Sequence, residues 1–451
     1  MAEFKSGDSA DEVVVGLDKN KRVRRRPMKQ NEPEITLEDL IEHFVVVLGN
    51  GMIWDDKRGR LMRPDHVRLA AGSKMFNIWI DHPDRRMVDM DDVVFEPGKD
   101  VDGINLFSGL NIKPDSGMQR EVYQPLLDHL YHLCGQQDEL YWWVLRWCAY
   151  PLQHVGAKMQ TSIIMHGAEG TGKNLWWESI ADIYGLYGVI ISQSEIESDF
   201  NGWASSKMFC IADEVISRAE LRHMKGKLKS MITGSQIMIN QKGQPQRPET
   251  NHMNLVFLSN EEQPLVLDQG DRRYAVIRCD DVKDNDWYVN IGKAKDDGAV
   301  RGLYHYLLTL EMEGFNRHSK PPVSQARVDL IDISKPSAER FVERWLSGRI
   351  PLPVQSCASI DLYRAYKLWC RQEGERMPAT KTRFGRVVGK HVRKARMTLH
   401  LDKMDGETDA SMRKVTIYLP ETTSDEHPGK QANQFRYAVG EWSNELKKVF
   451  I

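Results

Sequence analysis

The sequence predicts an α/β fold with three parts: an N-terminal α+β and helical region, a central core arranged around a glycine-rich loop, and a C-terminal winged-helix-like domain. Three observations lead to this prediction. A short apolar run at residues 162–165 enters the glycine-rich loop, and a helical pattern over residues 174–184 leaves it. Two further apolar runs downstream each end in polar residues. Helical patterns followed by two strands fill the last part of the chain, residues 336–451.

The glycine-rich loop stands in the order that phosphate binding requires, which is strand, loop, helix. Its residues are Gly167, Ala168, Glu169, Gly170, Thr171, Gly172, Lys173 and Asn174. Glycines allow successive backbone N–H groups to turn toward an anion, and the helix N-terminus adds a partial positive charge. Lys173 can then reach the β- and γ-phosphates of a nucleotide. The loop therefore predicts an ATP site, and the alternative is a glycine-rich turn that binds no nucleotide.

Asn174 departs from the usual phosphate-loop pattern. A Ser or Thr at this position normally gives its hydroxyl to Mg²⁺. The amide oxygen of Asn174 could take that place, directly or through a water molecule. Asn174 is therefore predicted to be a Mg²⁺ ligand.

Two apolar runs that follow the loop end in residues suited to hydrolysis. The run at residues 208–212 ends in Asp213 and Glu214. At this distance from a phosphate loop, the pair predicts that Asp213 holds Mg²⁺ through water and that Glu214 orients and deprotonates the attacking water. The run at residues 254–258 ends beside Asn260, which is predicted to position the same water.

Paired arginines follow the second of these runs. Arg272 and Arg273 directly precede a third apolar run at residues 275–277. They fit an arginine finger, a cation that stabilises the transition-state charge in a neighbouring subunit's site. The alternative is a surface turn with two solvated arginines.

Composition sets limits on the class of protein. A chain of 451 residues is long enough for about two to four domains, each able to bury a core. The formal net charge of −2 means that any nucleic-acid surface must be local. The six cysteines lack metal-type spacing and suit a reducing compartment better than a disulfide framework. We see no signal peptide and no long uncharged apolar run, so we expect a soluble cytoplasmic protein without a membrane partner.

With these residues in place, the chain resembles the superfamily 3 helicases of viruses, phages and mobile elements, and most of all the phage and poxvirus-type primase-helicase group. The matching order is formed by the phosphate loop, Asp213, Glu214, a Lys- and Gly-containing segment at residues 228–243, Asn260, Arg272 and Arg273. The resemblance implies an AAA+-like P-loop core, here residues 156–320. It also implies a hexameric ring, ATP sites between subunits, and 3′-to-5′ translocation on single-stranded DNA.

In that family a β-hairpin between the acidic pair and the polar strand tip projects into the ring's channel. Here it corresponds to residues 234–251. Lys242 is the first candidate for contact with DNA phosphates and Arg247 is the second. The alternative is an ordinary solvated hairpin. Three lysines upstream could line the channel or meet a neighbour's acidic residues, namely Lys225, Lys227 and Lys229.

The region before the core carries less information. Residues 1–33 are polar and charged, and we expect a disordered basic tail that contacts DNA nonspecifically or is merely solvated. Residues 34–155 read as an α+β and helical region, with a capping pattern at Thr36. The acidic cluster at residues 89–92 reads as a solvated loop rather than a polymerase or primase site. We therefore expect any primase to be on another chain.

Residues 336–451 are predicted to form a separate unit. Three helices and a hairpin, with cations on the third helix, suggest a winged-helix domain that binds DNA or an origin. Its predicted DNA contacts are Arg383, Arg386 and Lys390. The alternative is a charged adaptor surface for another protein. The chain after Pro420 reads as irregular until a last amphipathic stretch at residues 442–450.

Together these features predict an ATP-dependent replicative DNA helicase of a phage or mobile element. It would act in the bacterial host cytoplasm as a homo-oligomer, expected to be a hexamer, on single-stranded and forked DNA. Its cofactors would be ATP and Mg²⁺, and a separate primase or polymerase is a candidate partner. Two alternatives stay open. One is an AAA+-type NTPase that remodels or loads another protein on DNA, and the other is an origin-binding initiator whose ATP site controls assembly.

Overall fold

The computed structural model describes residues 35–110, 112–215, 224–243, 246–375, 377–402, 411–421 and 426–449. Within them the chain forms two compact units. The first comprises the described residues up to Val93 together with Asp102–Ile104, and the second comprises Val94–Val101 and the described residues from Asn105 onward. The predicted basic tail, residues 1–33, lies outside the described residues.

The first unit packs three helices on a small mixed sheet. Its elements are α1 (Leu37–His43), β1 (Phe44–Leu48), β2 (Met52–Asp55), β3 (Arg60–Met62), α2 (Pro64–Ala71), α3 (Ser73–Ile80) and β4 (Arg86–Asp89). The strand order is β3-β2-β1-β4, with only β1 and β4 parallel. Thr36 forms the predicted capping box with Asp39. The acidic cluster is exposed at Asp89, Asp91 and Asp92, as predicted, but Asp89 ends β4 and the other two lie in a short 3-10 helix rather than a loop.

The second unit begins with helices and continues into a central parallel sheet. Two short strands lie where the chain passes between the units, β5 (Val93–Val94) and β6 (Ile104–Asn105). The elements that follow are α4 (Arg120–Leu133), α5 (Asp138–Gln153), β7 (Ser162–His166), α6 (Lys173–Tyr184), β8 (Gly188–Ile191), α7 (Gln193–Glu197), β9 (Phe209–Ala212), α8 (Met224–Thr233), β10 (Gln236–Ile239), β11 (Arg247–Thr250), β12 (Asn254–Ser259), β13 (Tyr274–Arg278), α9 (Asn285–Asp296) and α10 (Ala299–Thr309). The apolar runs predicted as strands are therefore β7, β9, β12 and β13.

The central sheet has five strands in the order β13-β7-β12-β9-β8, and every neighbouring pair is parallel. Strands β7, β9 and β12 are buried throughout, which explains why they read as continuous apolar runs rather than as alternating patterns. Alternate residues serve two cores. Ile163 and Met165 join the core that also contains residues of α4, α5, α6 and α10, whereas Ile164 joins the core that also contains residues of α8.

Because all five strands run in one direction, their carboxyl ends meet at a single edge. The glycine-rich loop follows β7 at that edge, Asp213 follows β9, and Asn260 follows β12. After β7 the chain crosses to β8 at the far side of the sheet, and the later strands return until β13 pairs with the other side of β7. The direction in which strands are added therefore reverses beside β7. Open α/β sheets bind ligands at such a switch point.

The aromatic residues of α5 fill the core in part. Trp143 and Trp147 are buried, and the ring of Trp147 packs edge-on against Trp177 of α6. Trp142 is 38% exposed and stacks instead against the guanidinium of Arg146. The helix therefore anchors one face of the sheet.

The C-terminal part of the second unit is a helical cluster with a three-stranded sheet. Its elements are α11 (Gln325–Ser334), α12 (Ser337–Leu346), β14 (Cys357–Ala358), α13 (Ser359–Gln372), α14 (Lys381–His391), β15 (Arg393–Leu401), β16 (Ser411–Leu419) and α15 (Pro428–Val449). The sheet order is β14-β16-β15, and both pairings are antiparallel. Helices α12, α13 and α14 and the hairpin formed by β15 and β16 correspond to the three helices and the hairpin predicted from the sequence.

The chain after Pro420 differs from the prediction of an irregular tail. Here α15 forms a helix of 22 residues. Its buried apolar side chains recur every three or four positions, at Ala432, Phe435, Val439 and Trp442. That spacing is one face of a helix, which packs on α13 and on the sheet.

All six cysteines are free and buried, as expected for a chain without a disulfide framework. Among the described residues, no helix is long and apolar enough to cross a membrane.

Candidate functional site

The glycine-rich loop has the backbone conformation that its sequence suggests. Gly167 has φ of +130°, and a Cβ there would lie 2.3 Å from the Cys279 carbonyl oxygen. Gly172 has φ of +79° and is the N-cap of α6. Side chains are therefore excluded at both positions, and the loop leads directly into a helix N-terminus that can receive an anion.

Lys173 is folded into this loop. Its side chain is buried, and its ammonium donates hydrogen bonds to the Ala168 carbonyl at 2.7 Å, the Gly167 carbonyl at 3.3 Å and the Thr171 hydroxyl at 3.2 Å. Burial lowers the pKa of this ammonium below its usual value. The cation thus sits where the loop's own oxygens hold it.

Asn174 and Asp213 are brought into direct contact. The amide nitrogen of Asn174 donates to Oδ2 of Asp213 at 2.7 Å. Because a carboxylate only accepts, the amide NH₂ group faces Asp213 and the amide oxygen is directed elsewhere. The hydrogen bond joins the phosphate loop to the end of β9, across the intervening β12.

Glu214 stands at a strained turn after β9. It has φ of +53°, a conformation that residues other than glycine rarely adopt, and its side chain is exposed. Its backbone N–H donates to Oδ1 of Asp213 at 2.9 Å. The next residue is tied to β12, since the Ser259 hydroxyl donates to the Val215 carbonyl at 2.5 Å. The turn therefore presents the Glu214 carboxylate at the same edge as the loop.

Asn260 lies beside the phosphate loop at the tip of β12. Ser259 pairs in register with His166, the last residue of β7. The Gly167 N–H donates to the Ser259 carbonyl at 3.3 Å. Asn260 follows directly and is exposed. The structure thus brings Lys173, Asn174, Asp213, Glu214 and Asn260 to one edge of the sheet.

Arg272 and Arg273 lie at the opposite edge. The Ser162 N–H, at the start of β7, donates to the Arg273 carbonyl at 2.8 Å. Since β13 runs parallel to β7, the arginines are separated from the loop by the length of that strand, about 13 Å at 3.3 Å per residue. Neither arginine can reach the loop of its own chain, so any role in catalysis must be toward a second copy.

The two arginines differ in their surroundings. Arg273 pairs with Asp271 at 3.0 Å, and its Nε is buried without a hydrogen-bond partner among the described residues. Arg272 is exposed. Arg272 is therefore the better candidate for an intersubunit cation, and Arg273 is held in its own turn.

The predicted hairpin is confirmed as the antiparallel pair β10 and β11. Lys242 follows β10 in the turn and is exposed. Arg247 is instead held inside the subunit, since its guanidinium donates to the Ser205 hydroxyl at 2.7 Å and pairs with Glu249 at 3.3 Å. Lys242 is therefore more exposed than Arg247, which is the order in which the sequence ranked the two as candidate DNA contacts.

The three upstream lysines, which the sequence left open, have partners in the same chain. Lys225 and Lys229 both pair with Asp268, at 2.6 and 2.9 Å. Lys227 donates to the carbonyls of Ile196 and Ser198. These contacts join α8 to α7 and to neighbouring loops.

The cations of α14 share one exposed face. Arg383, Arg386 and Lys390 are spaced by three and four residues and all are exposed. Phe384 and Val388 bury the opposite face in the helical core. The surface is therefore basic and is carried on a rigid helix.

One contact to the phosphate loop was missed from the sequence. His129 of α4 is fully buried, and its Nε2 lies 2.9 Å from the Gly172 carbonyl oxygen. The contact joins residues that are 43 positions apart. The only signal in the sequence is a histidine among the apolar residues of a helix, which is too common to indicate a site.

A protein-family model matches the part of the chain that contains this site. Residues 165–273 match a family of unknown function, DUF5906. The matched stretch begins within β7 and ends directly before β13. It therefore contains the glycine-rich loop, the acidic pair, Asn260 and both arginines.

In sequence, the chain is related to the DNA primase-polymerase of Nitratiruptor phage NrS-1. The two are 26% identical over 261 residues, which is 54% of this chain and 35% of the phage protein. The match thus spans about a third of the length of that relative.

Solved structures of the NrS-1 C-terminal region share this fold. An apo structure has a TM-score of 0.61 at 16% identity, and an A-form apo structure has a TM-score of 0.60 at 17% identity. Each comparison covers 84% of this chain and 96% of the solved chain. At these identities the likeness concerns the fold alone.

Proposed function

We propose that this chain is the ATP-driven motor of a phage-type DNA replication system, with an AAA+-like P-loop core of the superfamily 3 helicase kind. One observation carries the proposal. The phosphate loop and the acidic strand end are joined by the 2.7 Å hydrogen bond between Asn174 and Asp213 at the carboxyl edge of a parallel sheet. That arrangement unites a phosphate cradle with oxygen ligands for a hard cation.

The oxygen donors at the site fit Mg²⁺. Among the described residues no group of three or more His, Cys, Asp or Glu side chains could hold a metal. Mg²⁺ in nucleotide sites needs only one or two protein ligands, because water and substrate phosphates supply the rest. Asp213 and the amide oxygen of Asn174 are the residues that would hold it, and it would neutralise charge on the β- and γ-phosphates.

Each residue at this edge has a role in the proposed hydrolysis. Lys173 and the loop N–H groups bind the β- and γ-phosphates. Glu214 accepts a proton from the water as its oxygen attacks the γ-phosphorus, and the bond to the bridging oxygen of ADP breaks. Asn260 orients that water. Lys173 must leave its present hydrogen bonds to the loop carbonyls to make these contacts.

Assembly completes the proposed site. Arg272 lies at the edge of the sheet opposite the loop and is exposed, so it would stabilise transition-state charge on a second copy. A closed homo-oligomer, proposed here to be a hexamer, satisfies every such contact. Coupling to single-stranded DNA would use Lys242 on the hairpin and the basic face of α14.

The phosphate loop and the acidic strand end suit nucleotide hydrolysis, so we propose a motor role rather than primer synthesis for this chain. A second candidate is an origin-binding initiator, which the exposed basic face of α14 favours. It shares the ATP site with the first candidate but need not separate strands.

The test is ATP hydrolysis with and without single-stranded DNA, followed by strand displacement on a forked duplex. We expect DNA-stimulated hydrolysis that Lys173→Ala abolishes, and displacement that depends on ATP. Hydrolysis without displacement would favour the initiator. Wild-type turnover rates in Lys173→Ala would remove the site assignment.

A further inference from the structure

The phosphate loop is held at Gly172 by a chain of hydrogen bonds that links three residues from separate elements. His129 of α4 lies between the Gly172 carbonyl, 2.9 Å from its Nε2, and the indole of Trp287 in α9, whose Nε1 lies 3.1 Å from its Nδ1. The imidazole is fully buried. Tyr288 of α9 closes the same space, with its ring edge-on to the imidazole at 6.1 Å.

The two neighbours determine where the imidazole proton lies. An indole N–H can only donate, so Nδ1 of His129 must accept. A backbone carbonyl can only accept, so Nε2 must donate to Gly172. The imidazole is therefore neutral, with its proton on Nε2. A second proton on Nδ1 would face the Trp287 N–H and break one of the two hydrogen bonds.

The carbonyl held by His129 belongs to the pivot of the loop. Gly172 is in the left-handed conformation and caps α6, and Lys173 is the first residue of that helix. A Cβ at Gly172 would lie 2.8 Å from both the His129 and the Tyr288 rings, so loop, helix and imidazole are in close contact. A change in the orientation of this peptide would move Lys173 and the adjacent N–H groups together.

We propose that His129, as the neutral Nε2-protonated tautomer held by Trp287, is a positioning residue for the phosphate loop. It sets the Gly172 peptide so that the backbone N–H of Lys173 and the N-terminus of α6 face the substrate phosphates. This inference rests on the proposed ATP site. His129 itself touches neither substrate nor metal.

The surroundings favour the neutral form of the imidazole. Burial is the main cause of a lowered pKa at His129, and His132 on the same helix adds to the effect. The other ionisable groups nearby are Asp281, 3.8 Å from His132, Lys283 over the Trp287 ring, Tyr288, and Lys173 beyond Gly172. The site therefore works above the pKa of His129 and is disturbed as the pH falls through it.

Two variants separate the hydrogen bonds from the charge. His129→Gln can donate to Gly172 through its amide nitrogen and accept from Trp287 through its amide oxygen, but it cannot titrate. Trp287→Phe keeps an aromatic ring but removes the indole N–H donor, which leaves Nδ1 of His129 free to take a proton. The matched control is Trp143→Phe. It also removes an indole hydrogen bond, the one that Trp143 donates to the Lys320 carbonyl, but this bond does not involve the phosphate loop.

The experiment measures KM for ATP, kcat and their pH profiles in the full chain. Trp287→Phe is expected to move the acid limb of the profile to higher pH, and His129→Gln is expected to remove that limb while keeping turnover at neutral pH. His129→Ala is expected to raise KM about tenfold, the factor that corresponds to about 1.4 kcal/mol and to one strong neutral hydrogen bond. Trp143→Phe should leave the profile unchanged.

The proposal is overturned if Trp287→Phe leaves the acid limb where it is, or if His129→Ala, shown to be folded by its thermal transition, keeps the wild-type KM. A ¹⁵N spectrum of labelled histidines, with His129 assigned by its absence in His129→Gln, reports the tautomer without nucleotide. An Nδ1-protonated or doubly protonated imidazole at pH 7 would also contradict it. If the wild type hydrolyses no ATP, the proposed function fails, and this spectrum still tests the tautomer.

Discussion

The amide of Asn174 donates a 2.7 Å hydrogen bond to the carboxylate of Asp213. This contact links the two strand ends that carry the proposed phosphate and Mg²⁺ ligands. It also gives a physical reason for an asparagine where a hydroxyl residue is usual, because an amide is long enough to donate to the acidic residue and can keep its oxygen for a cation.

Changing Asn174 should affect the dependence on Mg²⁺ most of all. We expect Asn174→Ala to raise the Mg²⁺ concentration for half-maximal ATPase about tenfold, since a charge-assisted hydrogen bond is worth ~1.5–3 kcal/mol. Asn174→Asp should instead lower that concentration, because Mg²⁺ relieves the repulsion between the two carboxylates that the change places against each other. Titration of ATPase with Mg²⁺ measures both effects. Asn290→Ala, an exposed asparagine of α9, is the control.

Glu214 should affect the chemical step without affecting binding. We expect Glu214→Gln to keep nucleotide affinity and to lower kcat by about 10²–10⁴, the range for loss of a general base. Fluorescent nucleotide binding and steady-state ATPase separate the two quantities. Glu262→Gln, also exposed near the tip of β12, should behave as wild type. A matched loss of affinity in Glu214→Gln would assign this residue to binding instead.

The arginine pair should divide into one intersubunit residue and one structural residue. We expect Arg272→Ala to fold normally and to lose ATPase. The arginine lies too far from the loop of its own chain, and under the proposed function it completes the site of a second copy. Arg273→Ala should lower the free energy of unfolding by about 1–3 kcal/mol, because the buried Asp271 loses its nearer cation and keeps only Lys229, at 3.8 Å.

Mixing tests whether the Arg272 site is shared. Arg272→Ala and Lys173→Ala are each expected to be inactive alone, but in a mixture an intact Lys173 of one subunit meets an intact Arg272 of the next. Recovery of ATPase on mixing would support shared sites. Activity that stays at zero across all ratios, in mixtures shown to co-assemble, would argue against them.

Contacts with DNA phosphates should appear in the salt dependence of binding. Each lost contact lowers the slope of log K against log salt by about 0.7 for a single strand and about 0.9 for a duplex. We expect Lys242→Ala to change the slope for single-stranded DNA, and Arg386→Ala to change it for duplex DNA. Lys430→Ala, an exposed lysine of α15 paired with Glu426, should change neither.

Lys158 predicts how stability depends on pH. Its ammonium is buried and donates to the Met253 carbonyl, and burial lowers its pKa from 10.5 to about 7. Between these values the unfolded chain therefore binds more protons at Lys158 than the folded chain does. The contribution of Lys158 to the free energy of unfolding is fully present above pH 10.5 and is lost as the pH falls to about 7. Thermal unfolding from pH 6 to 8.5, below the range in which the buried cysteines begin to titrate in the unfolded chain, should show stability rising with pH. Lys158→Met, an uncharged replacement, should flatten that rise.

The strands of the central sheet and the loop could be predicted because their signals are local. Buried parallel strands read as unbroken apolar runs, and a glycine-rich turn between such a strand and a helix has few other uses. The hairpin could be predicted for the same reason. Helix α15 was missed although Ala432, Phe435, Val439 and Trp442 carry a helical spacing, because the polar residues between them lower the average hydrophobicity.

Contacts between distant residues could not be predicted in this way. The pairing of Arg247 with Ser205 and the bond from His129 to Gly172 depend on how separate elements pack, and no local pattern encodes it. The position of the arginine pair also required the structure. Only the parallel register of β13 against β7 shows that the pair and the loop lie at opposite edges.

That separation has a consequence for how the protein would behave as it accumulates. If each subunit binds ATP at one edge of its sheet and carries the activating arginine at the other, a monomer hydrolyses no ATP. The ATPase activity per molecule then rises with protein concentration until the rings have formed. Under the proposed function, ATP turnover would stay low while few copies are present and would rise sharply once enough have been made.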